Sequence, residues 1–92
     1  MPFDLAYHPE VEADLRRLPA NIRRRVLRAI AARLTTEPAR YGRPLAGSLA
    51  RYRKLRVGDL RVVFELRGSL VVIYAALDRR LVYEEVARRL RR

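Results

Sequence analysis

Cysteine and tryptophan are both absent from this chain of 92 residues, and histidine occurs once. Without cysteine there is no disulfide framework, no thiolate zinc site and no thiol nucleophile. The single histidine, His8, stands before Pro9 and reads as a turn or helix-cap residue rather than an acid–base catalyst. Carboxylates are scarce and poorly placed for a metal or for paired acid–base work. Glu84 and Glu85 are adjacent, so they point to different faces of a helix, and Asp59 belongs to a turn. The glycines form neither a phosphate-cradling loop nor a dinucleotide fingerprint, so no metal and no small-molecule cofactor is expected. Any long apolar run is missing too. The start MPFDLAYHPE has no signal-peptide core and no stretch is built to span a membrane, which leads us to expect a cytoplasmic protein.

What the chain does have is positive charge and enough apolar residues to fold. Hydrophobic residues make up 50% and are spread throughout, which suits one domain over 1–92 with one core and no separate regulatory module. Lys and Arg number 21 against 10 Asp and Glu, a net charge of +11, and almost every cation is arginine. A guanidinium stays charged in any surroundings and offers paired donors that match phosphate oxygens, so a polyanion, nucleic acid above all, is the expected partner. A high-GC genome explains arginine in place of lysine, but not the excess of cations over acids.

Hydrophobic periodicity predicts the order β-α-α-β-β-β-α. This is an α+β fold in which an N-terminal strand and a helical hairpin pack on an antiparallel sheet, followed by a short C-terminal helix. Residues 3–7 alternate apolar and polar and stop at Pro9, giving a strand. Residues 10–18 place Val11, Leu15 and Leu18 on one helical face before Pro19. Residues 21–35 carry Ile22, Val26, Ile30 and Leu34 four apart, with Asn21 available as a cap and Arg23, Arg24, Arg25, Arg28 and Arg33 mostly outward. Residues 37–50 hold Pro38, Gly42, Pro44 and Gly47 and read as an ordered loop. Strands over 51–57, 60–66 and 70–77 follow, joined by Gly58-Asp59 and by Arg67-Gly68-Ser69. Val82, Val86 and Leu90 give the last helix over 81–90.

The first of these connectors sets a register. A two-residue turn at Gly58-Asp59 pairs Val57 with Leu60 and Arg56 with Arg61. Alternation then places Leu55, Val57, Leu60, Val62, Phe64 and Leu66 on the face that packs against the helices. Tyr52, Lys54, Arg56, Arg61, Val63 and Glu65 fall on the opposite, solvent-facing side, where Lys54, Arg56 and Arg61 converge. Cross-strand neighbours stand only about 5 Å apart at Cβ, where like charges oppose folding, so such a cluster suits a bound anion. Arg53 falls on the apolar face, near an edge or snorkelling.

The run Tyr52-Arg53-Lys54-Leu55-Arg56-Val57-Gly58-Asp59-Leu60-Arg61-Val62-Val63-Phe64 resembles the central hairpin signature of the RelE/ParE toxin superfamily of type II toxin–antitoxin systems. Leu77-Asp78-Arg79-Arg80-Leu81-Val82-Tyr83 is similar to that superfamily's strand ending in a basic pair, followed by Val-Tyr at the start of the C-terminal helix. His8-Pro9-Glu10 before the helical hairpin and Arg43-Pro44-Leu45-Ala46-Gly47 before the central strands also stand in family order, so the resemblance covers nearly the whole chain. Two departures stand out: Tyr52 occupies a place where some potent members carry another lysine, and Asp78 replaces the histidine often found before the arginine.

The RelE-like branch is favoured by Arg79 and Tyr83, and it implies a ribosome-dependent, metal-independent messenger RNA endoribonuclease that inhibits translation. The residues implied as catalytic are Lys54, Arg61, Arg79 and Tyr83, with Arg56, Arg53, Arg80 and Tyr52 as phosphate contacts. In that scheme Arg61 and Arg79 clamp the scissile phosphate, and Lys54 assists proton transfer from the 2′-hydroxyl. Tyr83 orients or protonates the leaving side, and Arg56 holds an adjacent phosphate. From periodicity alone Tyr83 equally suits packing its ring on the sheet. The implied partners are a cognate antitoxin and messenger RNA in the ribosomal A site. The ParE-like branch, which shares the fold and inhibits DNA gyrase without catalysis, and a catalytically degenerate RNA-binding member are the alternatives.

Overall fold

Two apolar stripes, Val11 and Leu15 on one helix with Leu18 just past its end, and Ile22, Val26, Ile30 and Leu34 on the next, meet the sheet in one core. The structure, a computed structural model, describes residues 2–91. It runs β1 (Asp4–Tyr7), α1 (Val11–Arg16), α2 (Ala20–Ala29) continued by a π-helical turn (Ile30–Leu34), α3 (Pro38–Tyr41) and β2 (Arg43–Pro44). A 3-10 turn (Gly47–Leu49), β3 (Tyr52–Val57), β4 (Leu60–Arg67), β5 (Leu70–Asp78) and α4 (Val82–Leu90) complete it. This is the α+β architecture that periodicity predicts, with three differences in where elements and turns begin and end. The segment 37–50 is not a plain loop but holds α3, β2 and the 3-10 turn. Gly68-Ser69 alone joins β4 to β5, because Arg67 pairs with Leu70 and Gly68 takes a φ of 57°. Finally, α2 begins directly after Pro19, so Asn21 lies inside its first turn and makes no cap.

The sheet has the order β1-β5-β4-β3-β2. It is mixed rather than purely antiparallel: β2, β3, β4 and β5 are antiparallel neighbours, but β1 runs parallel to β5. The register read from the Gly58-Asp59 turn is present, with Val57 opposite Leu60 and Arg56 opposite Arg61. Gly58 supplies the positive φ, 59°, that the first position of such a turn requires. Leu55, Val57, Leu60, Val62, Phe64 and Leu66 pack with Val11, Val26, Ile30 and Leu34, as alternation predicts.

The other face departs from expectation. It is not bare, because α4 lies across part of it, and Val63 and Ala75 join Leu45, Val82 and Val86 in a second apolar cluster. Val63 is therefore fully buried, and Glu65 is 8% exposed. Glu65 accepts from Tyr74 Oη at 3.0 Å and Arg67 Nε at 2.8 Å, so its ion-pair partner is Arg67 and not Lys54, Arg56 or Arg61.

Gly42 marks where α3 comes closest to the core. A Cβ there would stand 2.7 Å from Phe64 Cε1, nearer still to Cζ, and 3.0 Å from Pro38 O. Phe64 is fully buried and has no room to retreat. Gly42→Ala is therefore expected to lower stability by about 1–3 kcal/mol, read as a fall in the urea midpoint.

A buried ion pair fixes α4. Asp14 of α1 and Arg89 of α4, 75 residues apart, make a two-pronged contact with both N–O distances 2.8 Å. Their side chains are almost wholly buried. The pair also serves β5 where β1 has ended. Arg89 Nη1 donates to Tyr74 O at 2.8 Å, and the Ala76 amide donates to Asp14 Oδ2 at 3.1 Å. The pairing between β4 and β5 shifts at this place, Phe64 lying opposite Ile73 and Val63 opposite Ala75. Side chains thus satisfy backbone groups that an irregular ladder leaves over.

Around that pair, Arg88 bonds Glu85 and reaches Glu10 Oε1 at 2.7 Å, and Arg89 Nε donates to Glu85 Oε2 at 3.0 Å. The bond from Arg88, joined by that from Arg89, holds the Glu85 carboxyl down at about 2 from an ordinary 4.5. The folded protein binds this proton less tightly than the unfolded chain does, so the stabilisation is complete above about pH 4.5 and is lost as the pH falls towards 2. Glu85→Gln is expected to flatten that acid limb when denaturation midpoints are measured against pH.

Candidate functional site

Two rows of cross-strand neighbours order the side chains on the α4 side of the sheet. Arg43, Lys54, Val63 and Ala75 form one, and Arg56, Arg61 and Leu77 form the next. The helix α4 sits over Val63 and Ala75, so the inner half of the face is covered and the cationic half near β2 and β3 stays open. There a groove of about 490 Å³ is lined by Tyr41, Arg43, Lys54, Arg56 and Arg61. Among the described residues, none of these four cations stands in ion-pair contact with a carboxylate. Uncompensated charges forced together by strand pairing are a standing cost to the fold, and an anion entering the groove relieves it.

The side chains differ in how they are held. Arg61 Nη1 donates to Gly58 O and to Leu60 O, both at 2.9 Å, so its head is folded back over the turn with other donors left over. Lys54 Nζ stands 5.6 Å from the centroid of the Tyr83 ring. Tyr83, in the first turn of α4, is half-buried beside the second apolar cluster, so its packing role is real and leaves it next to the groove. Arg56 is exposed. Arg79 is exposed just past the end of β5, and its amide donates to Asp59 O at 2.9 Å. It therefore flanks the turn that carries Arg61 without lining the groove.

Three residues expected at the phosphate are placed elsewhere. Arg53 lies on the helix side and donates to Gly42 O at 2.9 Å, tying α3 to β3. Tyr52 packs edge-on against Tyr74, ring centroids 5.4 Å apart. Arg80 is bound to Asp78, Nε to Oδ1 3.0 Å, and that contact holds the Asp78 carboxyl below its ordinary range. His8 Nδ1 accepts the Glu10 amide at 3.1 Å, the turn role expected of it.

Tyr41 and Arg43 complete the groove, and neither stands out as a site residue in the sequence. Tyr41 ends α3, is 38% exposed, and has Arg33 and Arg40 each 5.5 Å from its ring centroid. Pro38 at the start of α3 was the available signal, since proline suits the first turn of a helix. No group of three or more His, Asp or Glu side chains among the described residues is placed to hold a metal ion, and no described helix is long and apolar enough to cross a membrane.

Residues 5–83 match the family model for the ParE toxin of type II toxin–antitoxin systems. No curated protein sequence gives a significant match. Among solved structures, the toxin–antitoxin complex RelBE2 from Mycobacterium tuberculosis contains a chain of 28% identity and TM-score 0.79, covering 86% of this chain and 93% of that one. A chain of the archaeal RelE–RelB complex from Pyrococcus horikoshii OT3 matches at 26% identity and TM-score 0.64, over 86% and 97%. One from the E. coli DinJ–YafQ toxin–antitoxin complex matches in fold at 19% identity and TM-score 0.61, over 90% and 99%.

Proposed function

The chain belongs to the ParE toxin family, within the RelE/ParE superfamily of type II toxin–antitoxin systems; from its basic groove and its likeness to RelE chains we propose that it cuts messenger RNA in the ribosomal A site. One observation carries the reading: a groove of four cations free of carboxylates, with a tyrosine at Lys54. A phosphodiester in that groove meets Arg61 and Arg56, with Arg79 closing from beyond the turn. In cleavage the 2′-oxygen attacks phosphorus, the bond from phosphorus to the 5′-oxygen breaks, one proton leaves the 2′-oxygen and another reaches the 5′-oxygen. Lys54 assists the first transfer, Tyr83 orients or protonates the leaving side, and the arginines stabilise the charge that builds on phosphate.

A second reading, inhibition of DNA gyrase by a non-enzymatic toxin, is favoured by the family model that matches. Inducing the chain alone in cells separates the two. Cleavage predicts an immediate halt in amino-acid incorporation with DNA left intact, whereas the gyrase reading predicts a DNA-damage response while translation continues. The three solved structures compared above are toxin–antitoxin complexes. On our reading this chain too has a cognate antitoxin, whose acidic or amphipathic segments cover the basic groove or displace α4.

A further inference from the structure

Arg56 lines more than one groove. On its other side a second groove of about 300 Å³ lies between α2 and the β3–β4 turn, lined by Arg25, Arg28, Ala29, Ala32, Arg33, Arg56, Val57 and Gly58. Its cations come from two elements distant in sequence, and among the described residues none of the four stands in ion-pair contact with an acid. Gly58 eases the approach: a Cβ there would stand 3.3 Å from Arg25 Nη1, close enough to make the guanidinium shift by a few tenths of an ångström. Arg33 in turn lies over the ring of Tyr41, which lines the first groove. The two grooves are thus joined twice, through Arg56 and through the contact of Arg33 with Tyr41.

We propose that this second groove binds the phosphate backbone of single-stranded RNA leading out of the first, so that the footprint spans both; the path rests on the RNA reading of the first groove. The lining chemistry selects the occupant. Arg25 and Arg28, three apart on α2, stand about 5–6 Å from each other at Cβ, a spacing that lets each take its own phosphate along one strand. Protein partners anchor on large apolar side chains in desolvated pockets, and here the floor is Ala29 and Ala32, with Val57 already buried. Guanidiniums over a small-residue floor suit a charged backbone and read no base sequence.

The test uses the purified full chain and 2′-O-methyl RNA, which binds but cannot be cut, in lengths of about four and about twelve nucleotides, within the range of single-strand site sizes. Fluorescence anisotropy over a salt series is compared for the wild type, the double variant Arg25→Gln/Arg28→Gln and Lys54→Met. The double variant is expected to lose on the order of tenfold or more in affinity for the longer RNA and to keep its affinity for the shorter one. Its slope of log K against log salt for the longer RNA should shrink by about 1.4, two released counterions' worth. Lys54→Met should weaken both lengths alike. Equal behaviour of the double variant and the wild type on the longer RNA overturns the second groove alone. Loss of binding to a labelled poly-glutamate peptide in the double variant, with RNA binding unchanged, would reassign the groove to an acidic protein segment. A wild type that binds neither length overturns the RNA reading of the first groove as well.

Discussion

Arg61→Ala is expected to lower cleavage of ribosome-bound message by on the order of 10²-fold or more, about 2.7 kcal/mol of transition-state stabilisation. The size follows from position. Arg61 is paired with Arg56 across the hairpin and held by the carbonyls of Gly58 and Leu60 at 2.9 Å, so its charge is fixed before any substrate arrives. A preorganised charge loses little in reorganising as the phosphate gains negative charge, which is where electrostatic catalysis gains most. The fold should survive. Each lost turn hydrogen bond costs about 0.5–1.5 kcal/mol, and removing one of two facing arginines offsets part of it. Single-turnover cleavage beside a thermal melt separates the two effects. Full activity in Arg61→Ala would remove Arg61 from the chemistry.

The largest expected loss of stability lies far from the groove, at Arg89. Removing its side chain leaves Asp14 buried and charged and Tyr74 O without its donor, so Arg89→Ala should cost about 3–5 kcal/mol. Small domains have only about 5–15 kcal/mol in total, which makes partial unfolding the expected outcome. The paired change Asp14→Leu/Arg89→Met removes both charges together and should recover most of that loss. Arg88→Ala, by contrast, removes a 41% exposed partner and should cost under about 1 kcal/mol. Urea midpoints of the four proteins give the ranking. A mild Arg89→Ala would mean that water reaches Asp14. Because α4 also carries Tyr83 to Lys54, loosening it should reduce cleavage beyond the loss of folded protein.

The hairpin that holds Lys54, Arg56 and Arg61 was legible because its information is local. A glycine at a two-residue turn sets the register, and a period of two then assigns every side chain to a face. The two helices were legible for the same reason, through apolar residues four apart. What lay hidden depends on contacts between distant segments. Nothing in Asp14 or Arg89 distinguishes them from solvated helix charges until β1 ends at Tyr7 and leaves Tyr74 and Ala76 to be satisfied. The parallel pairing of β1 is likewise invisible to periodicity, which carries no strand direction. The placement of α4 is not legible locally, since alternation puts Val63 on the same side as the cations without saying that α4 covers it. Tyr41 was missed because Pro38 and Gly42 read as loop breakers, although one starts a helical turn and the other lets that turn close on Phe64. Arg53 fell on the helix side as alternation required, and its work there is to hold α3.

Purified chain added to ribosomes carrying a defined message in an empty A site, with the 5′ end of the product mapped, gives the most direct answer. Our account predicts a single cut within the A-site codon by the wild type and a cut at least on the order of 10²-fold slower with Arg61→Ala. An intact message with the wild-type chain fully folded would contradict it.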